Sequence, residues 1–430
     1  MQPPFLVVSD SNGNSFEIPG LFMTGSSLYS NCVPDEKNLI PLPQSSVLFA
    51  LPGRAPIGYD PIQKRPITIM EYNGAPVYAT AAFMPPGYIR TLHSAFDELP
   101  GAPRLPLYCY SAVGWREGRF FAAGTRIDRQ RRHALSDSEL MTVPEKARTL
   151  LKHYPRNRLI EHLVNNCVVK YGCPNAYNLV LGRWECPIPV SASCNAGCLG
   201  CISKQPRDSG FFSSQHRIDF IPSVREIVDY VVPHLKTAPN PIASFGQGCE
   251  GAPLLQASLV EESIREIRAH TKRGIINLNT NGSMPEAIER LCKAGLSSMR
   301  VSLNSSQPEF YTRYYQPRGY SFEDVAESIT LARRLKVWVS INYLVFPGFT
   351  DHPDELRALK RLLRTTKLNM IQTRNLNIDP QWCVAAMELE KPKGKPMGMV
   401  SWIDSIRKSA PDVLLGYFNP TNATMRSLRK

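Results

Sequence analysis

Short apolar runs separated by turns that contain proline or glycine fill the first 185 residues of the chain. They read FLVVS, SVLFALPG, PITIMEYNG, PVYATAAF, LPLYCYSAVGW and RFFAAGTRID. Such runs are typical of β-strands joined by tight turns. The next stretch, SDSELMTVPEKARTLLKHYPRNRLIEHLVNNC, has apolar residues at helical spacing behind a Ser and an Asp suited to an N-cap. Residues 1–185 are therefore predicted to form a mainly β N-terminal domain of unknown type with a helical connector.

The second half of the chain alternates between strand-like and helix-like patterns. Six predicted strands read PIPVSAS, PIASFG, GIINLNT, SMRVSLN, VWVSINYLVF and LNMIQTRNL, and five predicted helices lie between them, one of them capped by Ser321. Alternation of this kind indicates parallel βαβ units, and right-handed crossovers would curl six of them into a partial (β/α)6 barrel. Functional groups of such barrels lie at the carboxyl ends of the strands. We place this α/β barrel at residues 186–380 and treat residues 381–430 as a C-terminal extension.

Composition narrows the class of protein. The chain has 430 residues, of which 43% are hydrophobic, and it carries eleven cysteines. No apolar run reaches about 18 residues, so no membrane span is expected. The N-terminal segment lacks the basic start and the apolar run of a signal peptide, which predicts a cytoplasmic protein. In that compartment cysteines are metal ligands, reactive thiols or buried residues rather than a disulfide framework.

The formal net charge of +13 favours contact with phosphate-rich or acidic partners. Part of this charge lies in the basic run 126–133, which includes Arg129, Arg131 and Arg132. A solvated loop is the favoured interpretation of this run, and a patch for a nucleic acid or an acidic substrate is the alternative.

Three cysteines, Cys194, Cys198 and Cys201, follow the first predicted barrel strand with the spacing Cys-x3-Cys-x2-Cys. A structural zinc site usually takes four protein ligands, and no fourth Cys or His lies close in sequence. Three thiolates around a cubane iron–sulfur cluster leave one iron without a protein ligand. That iron can bind a small molecule, so the triad predicts a cluster with an open position.

This triad, followed by alternating βα units, resembles the radical S-adenosylmethionine (SAM) superfamily over about residues 186–380. The resemblance implies a [4Fe–4S] cluster and SAM as cofactors. In that family a Gly-Gly-Glu-like motif after the second strand holds the amino group of SAM, and GQGCEG, with Gly248 and Glu250, occupies that place. Polar residues at the ends of the third and fourth strands would reach the ribose and carboxylate of SAM, although each suits a cap or turn equally well. They are Asn279, Asn281, Ser302 and Asn304.

The resemblance also implies a reaction. Reductive cleavage of SAM would give a 5′-deoxyadenosyl radical that abstracts hydrogen from a substrate, with a one-electron reductant such as flavodoxin or ferredoxin as partner. A peptide or protein substrate is favoured over a nucleic acid because no nucleic-acid module is visible. The polar end of the sixth strand, with Asp379 close behind it, is assigned to substrate contact, and the β domain to substrate recognition. The residues assigned to the substrate are Arg374, Asn375 and Asn377.

Two other functions stay open at this point. A radical SAM methyltransferase would consume a second SAM, and a nucleic-acid-modifying enzyme would use the positive charge. A hypothesis of another class is an iron–sulfur scaffold or sensor protein without turnover, against which the polar strand ends argue.

A second set of cysteines precedes the triad. Cys109, Cys167, Cys173 and Cys186 would suffice for an auxiliary metal cluster. Their gaps match no defined pattern, and free cysteines are often simply buried, which is the favoured interpretation.

Overall fold

The computed structural model describes residues 2–130, 135–390 and 394–427. Within the basic run 126–133, Arg131 and Arg132 lie outside the described residues, and Arg129 is exposed. No helix of the described residues is long and apolar enough to span a bilayer.

The N-terminal region is built from antiparallel strands, as predicted. Its largest sheet has eleven strands, with β1 at its centre pairing with β2, β11 and β15. Small apolar clusters fill the space between the strands. The strands are β1 (Phe5–Ser9), β2 (Ser15–Phe22), β3 (Gly25–Ser26), β4 (Asn31–Cys32), β5 (Leu39–Pro41), β6 (Val47–Ala50), β7 (Arg54–Asp60), β8 (Arg65–Thr68), β9 (Glu71–Tyr72), β10 (Ala75–Pro76), β11 (Tyr78–Phe83), β12 (Tyr88–Arg90), β13 (His93–Ser94), β14 (Phe96–Glu98), β15 (Val113–Arg116) and β16 (Arg119–Arg126).

The helical connector follows. It begins with α1 (Asp137–His153), where Ser136 and Glu139 form a capping box that satisfies two backbone N–H groups at the helix start. It continues through α2 (Arg158–His162), a π-helical segment (Leu163–Lys170) and α3 (Pro174–Val180). A π-helical turn is rare and is frequent at functional sites.

The barrel is a parallel sheet in which each strand pairs with the next one along the chain. Six of its strands match the predicted ones, which confirms the fold class. A seventh, β23, comes from the predicted C-terminal extension and pairs with β22 from Met370 to Gln372. The strands are β17 (Glu185–Ile188), β18 (Ile242–Phe245), β19 (Ile275–Thr280), β20 (Ser298–Leu303), β21 (Trp338–Val345), β22 (Met370–Asn375) and β23 (Leu414–Gly416).

The barrel helices cover the outer face of the sheet with apolar side chains and form one continuous core with it. Capping boxes start two of them, at Ser223 with Glu226 and at Ser321 with Asp324, and the second confirms the predicted cap. The helices are α4 (Val224–Thr237), α5 (Ala257–His270), α6 (Pro285–Ala294), α7 (Pro308–Tyr315), α8 (Phe322–Arg334), α9 (Pro353–Thr366), α10 (Pro380–Ala386), α11 (Met399–Ser409) and α12 (Asn422–Ser427).

The inner face of the sheet carries apolar side chains at the amino ends of the strands, such as Ile242, Ile275 and Trp338, and polar side chains two residues further on, because residues two apart share one face. Hydrogen bonds join these polar side chains into two series. Asn419 connects the two, since its amide donates to Glu185 Oε1 over 3.1 Å and its carbonyl accepts from Gln372 Nε2 over 3.1 Å. The other members are Ser244, Asn277, Ser298 and Ser340.

The β domain packs against the carboxyl ends of β21 and β22. The backbone N–H of Arg90 donates to Asn375 Oδ1 over 2.8 Å, and Asn375 Nδ2 donates back to Tyr88 O over 3.1 Å. A buried ion pair joins Arg54 to Asp379, with 3.0 Å between Nη2 and Oδ2. Since the carboxyl ends of parallel strands share one edge, the β domain lies at the same end of the barrel as the cysteine loop.

Candidate functional site

The cysteine loop leaves the carboxyl end of β17 and is fixed to the end of α7. The backbone N–H of Gly197 donates to Tyr315 O over 2.9 Å, and that of Leu199 donates to Tyr314 O over 3.0 Å. A Cβ atom on Gly200 would lie 2.7 Å from the Tyr314 hydroxyl, so the close approach of the loop requires glycine there. The loop carries the three predicted ligands, all half-buried: Cys194, Cys198 and Cys201.

The three sulfur atoms do not all lie within 4.8 Å of one another. Two thiolates on one ion, with metal–sulfur bonds of about 2.3 Å, are at most about 4.6 Å apart. Among the described residues, His162, Cys167 and Cys249 are the group whose ligand atoms all lie within 4.8 Å of one another, and the triad is not such a group. The wider spacing of the triad fits a cluster of several irons, which spreads its ligands over different metal atoms.

The electrostatic setting of the triad also suits metal binding. Burial raises the pKa of Cys194 and of Cys198, and the neighbouring thiols add to the rise at Cys198. The thiols therefore stay protonated until a cation replaces their protons. The guanidinium of Arg217 donates to Cys201 Sγ over 3.7 Å and to Ser203 Oγ over 3.1 Å, which places a cation beside the triad.

Glu250 lies in the turn after β18, and its side chain is buried. Its side chain is 4% exposed, and its carboxylate accepts four backbone N–H groups. Two of these donors precede the cysteine loop, Val190 at 2.8 Å and Ser191 at 3.1 Å, and two belong to its own turn, Gly246 and Gln247, both at 2.7 Å. Both oxygens thus accept backbone N–H groups, and contact of Glu250 with the ammonium of SAM stays a prediction. Complete burial raises the pKa of Glu250 to about 7, and the amide donors limit that rise.

Glycines let this turn approach its neighbours. Gly246 has φ +79°, and a Cβ there would lie 1.8 Å from Asn279 O. A Cβ on Gly251 would lie 1.9 Å from Ser193 O, directly before the triad. The predicted cofactor residue Gly248 is exposed, and a Cβ there would meet Ile202 at 2.8 Å.

The polar strand ends reach the triad loop to different degrees. Asn281 Nδ2 donates to Asn195 Oδ1 over 2.8 Å, which links the end of β19 to the cysteine loop. Asn304 Nδ2 donates to Phe310 O over 3.1 Å, and its buried Oδ1 accepts no hydrogen bond within the described part of the chain. Asn279 Oδ1 accepts from Asn277, and Ser302 is half-buried on β20. Asn304 therefore offers a free buried acceptor to a ligand.

Two arginines project into the barrel interior. Arg300 Nη1 donates to Gln372 Oε1 over 3.2 Å, and Arg374 Nη2 donates to Tyr417 O over 3.0 Å. The Arg374 guanidinium also lies 4.4 Å from the ring centre of Tyr417, and its buried Nε has no acceptor among the described residues. Burial, followed by repulsion from Arg374, lowers the pKa of Arg300 to about 9. Two cationic side chains thus lie in the interior, together with the carboxylate of Glu185.

The residues assigned to substrate from the sixth strand separate in the structure. Arg374 faces the barrel interior, as expected. The side chain of Asn375 and the carboxylate of Asp379 bond to the β domain, and their contact with substrate stays a prediction. Asn377 is half-buried, and its carbonyl oxygen lies 3.7 Å from where a Cβ on Gly200 would be, next to the triad loop.

The second set of cysteines is not assembled into one site. Cys109 is buried in the β domain, where it contacts Arg90 and Ser111, and Cys186 is buried on β17. Cys167 instead lies beside His162 and Cys249. The four-cysteine set is therefore wrong, because two of its members face other parts of the molecule.

Sequence reasoning missed Asn195, Arg217 and Arg300. Arg300 carried a usable signal, since it stands at alternate spacing with Ser298 and Ser302 on a strand whose intervening residues are apolar. Asn195 and Arg217 carried none, because their partners depend on how the loops fold.

Comparison with known proteins supports the same assignment. Residues 188–359 match the sequence model of the Radical SAM superfamily. The chain is 29% identical over 178 residues to the GTP 3′,8-cyclase of Aquifex aeolicus, covering 41% of this chain and 52% of that protein. It is 25% identical over 215 residues to a probable dual-specificity RNA methyltransferase RlmN 2 of Protochlamydia amoebophila, covering 48% and 56%. The chain thus spans about half the length of these curated relatives.

A solved radical SAM methyltransferase from Sphaerobacter thermophilus aligns with a TM-score of 0.37 and 18% identity, over 53% of this chain and 63% of that one.

Proposed function

Because the chain is a member of the radical SAM superfamily, whose enzymes use a [4Fe–4S] cluster and SAM, we propose that it cleaves SAM reductively and removes hydrogen from a substrate held in its barrel. When bound, the reduced cluster and SAM supply the 5′-deoxyadenosyl radical for this chemistry. Cys194, Cys198 and Cys201 would hold the cluster. The observation that carries the proposal is the convergence of these three half-buried thiols in one loop at the carboxyl edge of a parallel sheet.

The protein's own residues would bind and orient SAM at this edge. The free Oδ1 of Asn304 would accept a hydrogen bond, and the Asn281–Asn195 pair would place further polar atoms beside the cysteine loop. Glu250 would act indirectly, because its carboxylate fixes the start of the cysteine loop to the turn after β18. Gly248, Asn279 and Ser302 stay predicted contacts.

The substrate would carry an anionic group. Arg300 and Arg374 hydrogen-bond to an amide and a carbonyl oxygen, so each retains charge for a carboxylate or phosphate inside the barrel. Both a peptide, the class favoured by the sequence, and a phosphate-bearing molecule meet this requirement. Two relatives are named for GTP and for RNA, which supports the phosphate alternative. The β domain at the barrel mouth would take part in substrate recognition, and flavodoxin or ferredoxin would supply the electron.

The reaction is tested with anaerobically reconstituted protein, a chemical reductant and SAM. We expect about four irons per triad and formation of 5′-deoxyadenosine. Simultaneous replacement of Cys194, Cys198 and Cys201 by Ala should abolish both, whereas Cys292→Ala, a half-buried cysteine on α6, should change neither. Products separate the alternatives: 5′-deoxyadenosine alone indicates hydrogen abstraction, S-adenosylhomocysteine in addition indicates methyl transfer, and neither product from a cluster-bearing protein indicates a scaffold and contradicts the proposal.

The substrate class is tested separately by equilibrium binding of a nucleoside triphosphate and of an acidic peptide. Arg300→Gln with Arg374→Gln should weaken the binding of whichever ligand is accepted, and the exposed Arg265→Gln on α5 serves as the matched control. If neither ligand responds to the two interior arginines, the anionic class is wrong.

A further inference from the structure

A compact group of metal-binding side chains lies outside the cysteine triad. Its members come from two regions that are far apart in sequence: the adjoining α2 and π-helical segment, which supply two residues, and the turn after β18. Their ligand atoms all lie within 4.8 Å of one another. The three residues are His162, Cys167 and Cys249.

The spacing of this group suits one ion. His162 Nε2 lies 3.9 Å from Cys167 Sγ. A nitrogen and a sulfur bound to one tetrahedral zinc, at their usual bond lengths, are roughly 3.6 Å apart. Cys167 and Cys249 are 1% and 4% exposed, and His162 is half-buried, so an ion here would be shielded from water. The sulfur atoms of the triad, by contrast, do not all lie within 4.8 Å of one another.

A fourth candidate ligand, Cys173, lies close to this group in the fold. Cys173 is half-buried at the start of α3, and its backbone N–H donates to Cys167 O over 2.8 Å. Its thiol lies near enough to interact electrostatically with those of Cys167 and Cys249.

We propose that His162, Cys167 and Cys249 bind one Zn²⁺ ion, with Cys173 as the fourth ligand. Three thiolates and an imidazole are a common donor set of structural zinc, and thiolates select zinc over harder cations. Binding releases the thiol protons and requires no change of oxidation state. The site joins the helical connector to the barrel, because only Cys249 belongs to the barrel.

The position of Cys249 gives the ion a role in the proposed active site. The adjacent residue, Glu250, anchors the start of the cysteine loop, and Cys249 O accepts the backbone N–H of Ile218 over 2.8 Å. Zinc would therefore hold the turn after β18 in place. This positioning role rests on the proposed function, whereas zinc binding does not.

The test begins with the full chain purified in reducing buffer from zinc-supplemented cells. We expect about one zinc per chain in addition to iron. The variant without the three triad cysteines should lose its iron and keep its zinc, which distinguishes failure of this proposal from failure of the proposed function. Cobalt should replace the zinc and give the charge-transfer absorption of cobalt bound to thiolates.

Single substitutions identify the ligands in the triad-free variant. Cys167→Ser, Cys249→Ser and Cys173→Ser should each weaken zinc affinity, measured against a competing chelator, by more than about tenfold, because even residues that merely support a ligand cost that much. The matched control is Cys109→Ser, a buried cysteine of the β domain. Intact helix content by circular dichroism excludes loss of the fold.

Several results would overturn the proposal. They are a chain without zinc under these conditions, iron at this site instead of zinc, a disulfide between Cys167 and Cys249 in reducing buffer, or an equal loss of affinity in the control. Unchanged affinity in Cys173→Ser would overturn the assignment of the fourth ligand.

Discussion

The buried ion pair between the β domain and the barrel should be essential for their association. Arg54 on β7 and Asp379 at the start of α10 are each 1% exposed. Asp379 Oδ2 also accepts the backbone N–H of Leu105 over 3.0 Å, and its Oδ1 caps α10 through Gln381 N. The substitution Asp379→Asn removes the charge with little change in shape and leaves the buried Arg54 guanidinium with one carboxylate, that of the exposed Glu98 at 3.6 Å.

The size of the effect follows from this geometry. Removing one partner of a buried ion pair costs about 3–5 kcal/mol, because the other charge stays out of water. Replacing both partners removes that penalty. The double variant Arg54→Met with Asp379→Asn should therefore lose less free energy of unfolding than the sum of the two single variants, and the coupling should exceed about 1 kcal/mol.

Unfolding in guanidinium chloride measures these differences, with Lys293→Met as the control. Lys293 pairs with Glu289 over 2.8 Å on the surface of α6, where both side chains are exposed, so this change should cost no more than about 1 kcal/mol. An Asp379→Asn variant that loses as little as the control, or a double variant that loses the full sum, would refute the reasoning.

Two further predictions concern the SAM edge of the barrel. The pKa of Glu250 is raised from 4.5 to about 7 in the folded protein. Its contribution of about 3 kcal/mol to the free energy of unfolding is therefore present below about pH 4.5 and is lost as the pH rises through about 7. The wild type should have a lower free energy of unfolding at pH 8 than at pH 5, and Glu250→Gln should lack this difference. An equal dependence on pH in both proteins would contradict the raised pKa of Glu250. Asn304→Ala should weaken SAM binding about three- to tenfold, the effect of one neutral hydrogen bond, while the cluster stays intact. Equal affinity by equilibrium dialysis would remove Asn304 from the SAM site.

The barrel could be predicted from sequence because its signals are local. Strands and helices alternate in the apolar pattern, and Ser321 marks the start of α8 because it forms the capping box of that helix. The cysteine triad is local as well, since its three residues lie within eight positions. The seventh strand escaped prediction because β23 has only three residues and no alternating pattern of its own.

The observed partners of several predicted site residues are distant from them in sequence. Two of the backbone N–H groups that donate to the Glu250 carboxylate belong to Val190 and Ser191, about sixty positions earlier. Asn375 accepts from Arg90, some 285 positions away. A polar residue at a strand end gives the same signal whether it binds a ligand or another domain. The group of His162, Cys167 and Cys249 was likewise invisible, because the chain must fold before these side chains meet.

The link made by Asn419 means that the barrel has a seam. The sheet is continuous from β17 to β23, yet the gap between its two edges is bridged by a side chain rather than by paired backbones. β23 pairs on one side only and is three residues long, whereas β19, β20 and β21 pair on both sides. Local opening should therefore start at the seam and leave the central strands intact. The barrel thus has one edge that is held by side-chain hydrogen bonds rather than by paired backbones.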